Sequence, residues 1–111
     1  MLFKSKEPTL VNIKHNKEYD VYIGRPSIWG NPYTHRNDSV YAKYKVDSVE
    51  EAIEKYREYL LNSPELLEKL HELEGKVLGC WCMPKKPITG KYYCHGQILI
   101  EEFRNHCMNI K

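Results

Sequence analysis

Three of the four cysteines fall in Cys80-Trp81-Cys82 and in Cys94-His95, which Gly96 follows. Thiols and imidazole are suited to nucleophilic attack, proton transfer and soft-metal ligation near neutral pH. Two chemistries fit these residues. In the first, Cys94 is a reactive thiol at a helix start, its thiolate favoured by the unpaired amides there, with His95 adding positive charge or accepting a proton. In the second, Cys80, Cys82, Cys94 and His95 ligate zinc. The spacing of one, eleven and no intervening residues is unlike the two to four that usually separate zinc ligands in each half. An extended strand does place Cys80 and Cys82 on one face. A structural reading also fits, with Cys80 and Cys82 as small buried hydrophobes beside Trp81.

A second segment carries ligand-gripping side chains. Gly24-Arg25-Pro26-Ser27-Ile28-Trp29-Gly30-Asn31-Pro32-Tyr33 holds two prolines and two glycines in ten residues, so it is a loop of specified shape. Arg25 and the amides of Gly24, Gly30 and Gly96 suit an anion. Trp29, Trp81 and Tyr33 suit stacking on a planar ring, and Asn31 suits reading its edge. Cys82 would line the same end as Cys94 and His95. Trp29 also suits a plug in the core.

These segments need a scaffold. Val11-Asn12-Ile13 and Asp20-Val21-Tyr22-Ile23 read as strands, either a hairpin or successive strands of one sheet. Thr34 to Lys45 reads as a loop with one short strand. Ser48 followed by Glu51 is a capping box, and Val49, Ala52, Ile53, Tyr56 and Leu60 recur at helical spacing to about Asn62. Pro64 opens a second helix whose Leu66, Leu67, Leu70 and Leu73 face inward, and Gly75 ends it. The charges on both helices, Arg57 among them, read as a solvated face. Lys76 to Cys82 reads as an interior strand. Lys85 to Tyr93 reads as an exposed loop whose Lys85, Lys86 and Lys91 could touch a phosphate. A last helix runs from Cys94 or His95 to about Cys107. The order β-β-α-α-β-α predicts a small α/β sheet with helices packed against it.

A chain of 111 residues supports one domain, 1–111, with residues 1–10 as a loosely ordered N-terminal segment. Its 41% hydrophobic and 29% charged residues are those of a globular protein. A net charge of +2 argues against a nucleic-acid partner, and no apolar run reaches membrane-spanning length. The N-terminus lacks the apolar segment of a signal peptide, so a cytoplasmic location with reduced thiols is expected. Nine tyrosines supply amphipathic surface on which a homodimer could form. His15, His35, His71 and His106 read as surface residues, and Cys107 as incidental.

Val21 to Ser27, Trp29 to Tyr33, Glu51-Ala52-Ile53 with Tyr56, Leu73 to Cys82 and Cys94-His95-Gly96 together resemble the DUF4326 family, found in phages and prokaryotes. The resemblance covers Val21 to Phe103 and implies a shared fold and site, with no reaction attached. A phage protein of this kind would act in the host cytoplasm. Two departures stand out: Lys85 to Tyr93 lengthens the link between the two thiol motifs, and Gln97 stands where an acidic residue often follows Cys-His-Gly. The loss of that carboxylate favours binding over catalysis.

The sequence therefore predicts a crevice, formed by the Gly24–Asn31 loop and the Cys80–Cys82/Cys94–Gly96 cluster, that binds or processes a nucleotide-like or phosphate-bearing small molecule. In a phage, that molecule could be a host nucleotide signal. The competing expectation is a zinc-stabilised module that binds protein or nucleic acid.

Overall fold

The computed structural model describes residues 6–35, 43–84, 86 and 88–108. Its strands and helices run β1 (Thr9–Asn12), β2 (Val21–Tyr22), β3 (Tyr33–Thr34), β4 (Tyr44–Lys45), α1 (Val49–Leu61), α2 (Pro64–Lys69), β5 (Val77–Cys80) and α3 (His95–Phe103). A 3-10 turn over Leu70–Leu73 continues α2, and a π-helical turn over Arg104–Met108 continues α3. This is the mixed α/β arrangement expected, with two further short strands.

The main sheet is parallel, in the order β1-β5-β2. Leu78 aligns with Leu10 on one side and Val21 on the other, so β5 is the interior strand. Its apolar sequence explains the position, since a central parallel strand meets protein on both faces. The hairpin reading of β1 and β2 is corrected: the two occupy opposite edges of β5. The link between them crosses the sheet at Gly79, where an added Cβ would lie 2.8 Å from the Tyr19 ring and 3.1 Å from Ile13. Only a residue without a side chain lets the crossing chain pack this closely. β3 and β4 pair in parallel as a separate ribbon, and the Val46 amide extends it by donating to the Thr34 carbonyl.

The helices follow their sequence signals. Ser48 Oγ accepts the Glu51 amide at 3.0 Å, and the Glu51 carboxylate accepts the Asp47 amide in return. This reciprocal cap starts α1, which buries Ala52, Ile53, Tyr56 and Leu60. Pro64 opens α2, and Leu66, Leu70 and Leu73 are buried. Gly75 takes φ +68°, a left-handed conformation suited to glycine after a helix. Ile98, Leu99 and Phe103 of α3 join Ile23, Tyr56, Leu60 and Leu78 in one core.

Arg57 departs from the solvated face expected of it. It reaches from α1 to α3, with Nη2 2.7 Å from Glu101 and Nη1 2.8 Å from the buried Glu102. Burial opposes its charge, but bonding and proximity to the two carboxylates outweigh that and raise its pKa. The same network ties down Tyr92, whose hydroxyl meets Glu101.

Candidate functional site

β2 and β5 are adjacent and parallel, so their carboxyl ends open on the same side of the sheet. Gly24 and Arg25 leave one, Trp81 and Cys82 leave the other, and the N-terminus of α3 arrives beside them. Such an edge is where open α/β sheets hold ligands. Here it forms a cleft of about 790 Å³. Gly24, Arg25, Asn31 and Tyr33 line it from the front loop. Cys80, Trp81, Cys82, Cys94 and His95 line it from the rear. The two segments share one cavity.

Three of the expected ligand contacts lie elsewhere. Trp29 is 4% exposed and sits in the core, its carbonyl accepting from the Tyr56 hydroxyl at 2.8 Å. Gly30 spends its amide on the Ser27 carbonyl. Gly96 packs against the sheet, where a Cβ would lie 2.6 Å from Leu10 and 2.8 Å from Ile23, and its amide donates to Cys94 Sγ. These correct the stacking role of Trp29 and the anion-binding roles of Gly30 and Gly96. Asn31 does line the cleft, but as a brace: Nδ2 donates to the Ala52 carbonyl at 3.0 Å and Oδ1 accepts the Tyr33 amide at 2.9 Å.

Other bonds hold the cleft walls together. Trp81, 49% exposed, donates Nε1 to Tyr22 Oη at 3.0 Å, and that hydroxyl donates to the Arg25 carbonyl at 3.1 Å. Arg25 Nη1 donates to the Asn31 and Tyr33 carbonyls, which fixes the guanidinium over the loop. Asn12 Nδ2 donates to the carbonyls of Met83, at 2.7 Å, and Trp81. The Cys-Trp-Cys segment is thus anchored to β1.

The thiol corner has a defined proton arrangement. His95 Nε2 lies 2.7 Å from the Ile23 carbonyl, an acceptor only, so Nε2 carries the hydrogen and Nδ1 is left as an acceptor 3.8 Å from Cys94 Sγ. Burial, with the nearby charge of Arg25, pushes the imidazole down to about 4. His95 is therefore neutral at pH 7, which corrects its role as a positive charge. The neighbouring thiols of Cys80 and Cys82, together with burial, raise the Cys94 pKa well above the usual thiol range. Cys80 is lowered to about 6 by the bond from Cys94, against burial, with help from the backbone amides of Cys82 and Met83. The corner therefore disfavours the charge expected on Cys94.

Among the described residues, no three His, Cys, Asp or Glu side chains are grouped so as to hold a metal ion. The zinc set of Cys80, Cys82, Cys94 and His95 does not assemble here.

Several cleft residues escaped the sequence reading. Tyr22 reads only as a strand residue and His35 as a surface residue, and nothing in the sequence singles out Lys14, yet all three line the cleft. Tyr92 and Tyr93 join them, beside Lys91, which the sequence did offer to a phosphate and whose Nζ lies 5.3 Å from the Tyr93 ring centre. Lys86 is exposed, and Lys85 lies outside the described residues. Gln97 turns out to be a cap: Oε1 accepts the Cys94 amide at 2.9 Å and Nε2 donates to the Lys91 carbonyl at 3.0 Å. A carboxylate there could make the same capping contact, so Gln97 says nothing about lost catalysis.

The fold and site define a small α/β protein with a thiol-floored cleft at the carboxyl edge of a parallel sheet. The chain belongs to the family described as Domain of unknown function (DUF4326), which it matches over residues 11–105. It is similar to the uncharacterised protein R718 of Acanthamoeba polyphaga mimivirus, 36% identical over 113 aligned positions that cover 87% of this chain and 80% of that protein. No solved structure matches the chain. No helix among the described residues is long and apolar enough to cross a membrane.

Proposed function

We propose that this protein binds a nucleotide-like small molecule, a planar ring bearing a phosphate, in the cleft between the Arg25 loop and the Cys80–Cys82 segment. The observation that carries the reading is the pairing of ring surfaces with cations in one cavity. Tyr22, Tyr33, Trp81 and Tyr93 line it together with Lys14, Arg25 and Lys91. Glu50 is the one carboxylate among the described lining residues. The volume falls within the roughly 300–1,000 Å³ typical of small-molecule sites.

The parts divide the work. Trp81 presents a large exposed face whose edge is fixed by Tyr22, so stacking requires little reordering. Arg25 is oriented through Nη1 and has further N–H donors for an anion. Lys14 and Lys91, on separate segments, add charge at the mouth. A reducing cytosol, that of the host for a viral protein, suits a cleft floored by thiols.

Calorimetry and thermal shift with a panel of purine and pyrimidine nucleotides and their nucleosides test the proposal. At least one nucleotide should raise the melting temperature and quench Trp81 emission, and Arg25→Gln should weaken the nucleotide by about tenfold or more while sparing its nucleoside. Silence across the panel at millimolar concentrations would overturn it. Stoichiometric zinc in the purified protein, with unfolding on chelation, would favour the metal-stabilised module instead.

A further inference from the structure

Two ring platforms stand on opposite walls of the cleft. Tyr33 opens the β3–β4 ribbon at the front, its ring stacked on Tyr44 with centroids 5.0 Å apart. Trp81 follows β5 at the rear, exposed, with its indole edge held by Tyr22. Both line the same cavity.

Arg25 links the two platforms. Its Nη1 donates to the Tyr33 carbonyl at 3.4 Å, and its own carbonyl accepts the Tyr22 hydroxyl at 3.1 Å. That hydroxyl accepts the Trp81 Nε1 hydrogen at 3.0 Å. The order along these hydrogen bonds is Tyr33, Arg25, Tyr22, Trp81. A stacking surface therefore stands on either side of the group that would take an anion.

Building on the cleft's reading as a nucleotide site, we propose that its ligand is a dinucleotide whose two nucleosides are joined by a pyrophosphate bridge. One base stacks on Tyr33, the other on Trp81, and Arg25 holds the bridge between them. A mononucleotide with its phosphate on Arg25 covers one platform and leaves the other in water. Charge selects the kind of bridge. Lys14, Arg25 and Lys91 line the cleft against one carboxylate, Glu50, among the described lining residues. That positive excess suits two linked phosphates, each carrying a negative charge, better than the single charge of a phosphodiester. The cleft of about 790 Å³ lies in the upper part of the range for small-molecule sites, with room for a second nucleoside.

Calorimetry on the full chain compares diadenosine and diguanosine diphosphate with AMP, ADP, GMP, GDP and the phosphodiester dinucleotides ApA and GpG. At least one bridged dinucleotide should bind about tenfold or more tighter than its mononucleotide and nucleoside diphosphate, the worth of one further stacked base. It should also bind tighter than the matching phosphodiester. Tyr33→Leu, which keeps an apolar neighbour for Tyr44, and Trp81→Ala should each lower the dinucleotide to the affinity of its mononucleotide. A mononucleotide or nucleoside diphosphate that matches the dinucleotide on the unaltered protein would overturn the inference and leave the nucleotide reading standing. A phosphodiester that binds as tightly would overturn the pyrophosphate bridge. If both variants weakened AMP or GMP alike, one ring would be clamped between the walls, which also overturns it. Silence from the whole set would overturn the dinucleotide, while the nucleotide panel above decides the broader reading by itself.

Discussion

Trp81 and Tyr22 are joined side chain to side chain, indole Nε1 to phenol oxygen at 3.0 Å, across the carboxyl ends of two adjacent strands. The phenol passes the bond on to the Arg25 carbonyl. One short chain of hydrogen bonds therefore sets the distance between the ring platform and the anion-binding loop.

Trp81→Ala should reduce affinity for the bound nucleotide by about 1–3 kcal/mol, the usual worth of a stacked base, and Trp81→Phe should retain most of it. Tyr22→Phe keeps the ring but removes both hydrogen bonds. It should cost about 1 kcal/mol in stability and loosen Trp81. Calorimetry reads the first effect, and urea unfolding with Trp81 emission reads the second.

Gly96→Ala should destabilise the fold by about 1–3 kcal/mol, the range for overpacking a core. The added methyl would meet the terminal methyls of Leu10 and Ile23, which would have to shift within the packed interface between α3 and the sheet. Gly90→Ala is the control for crowding, because nothing lies within 4 Å of a Cβ there; its φ of +86° leaves backbone strain as the only cost. Denaturant unfolding compares the two.

Arg57→Met should cost on the order of 3 kcal/mol, because it leaves the Glu102 carboxylate buried without its guanidinium. Adding Glu102→Gln should recover part of that loss, which a double-mutant cycle measures. Tyr92 should also move, since Arg57 and Glu101 hold its hydroxyl at the cleft rim.

His95 should make stability fall with acid. Its folded pKa of about 4 lies below the ordinary 6.5, so the unfolded chain takes up a proton first as pH drops. The stability present above pH 6.5 is then lost between there and about pH 4, by roughly 3 kcal/mol in all. Denaturant unfolding at pH 7 and 4.5 reads the slope, and His95→Gln should flatten it. An NMR titration should find the His95 ring neutral down to pH 5.

Local sequence determined the helices and where chemistry would concentrate. Ser48 with Glu51, Pro64 and Gly75 act within a few residues of themselves, so the ends of α1 and α2 were readable without a fold. The apolar run into Cys80 likewise marked an interior strand, and the Cys-Trp-Cys and Cys-His-Gly segments marked one site. The tertiary structure decided what each residue there does. Trp29 is core because Tyr56, 27 positions away, binds its carbonyl; Trp81 is a platform because Asn12, 69 positions away, anchors its segment. That Cys94 resists ionisation is likewise set by burial and neighbouring thiols that come together only when β5 and the N-terminus of α3 pack. Periodicity and capping are local and leave a mark in the chain, whereas burial, partnership and proton sharing arise between distant segments and exist only once they pack.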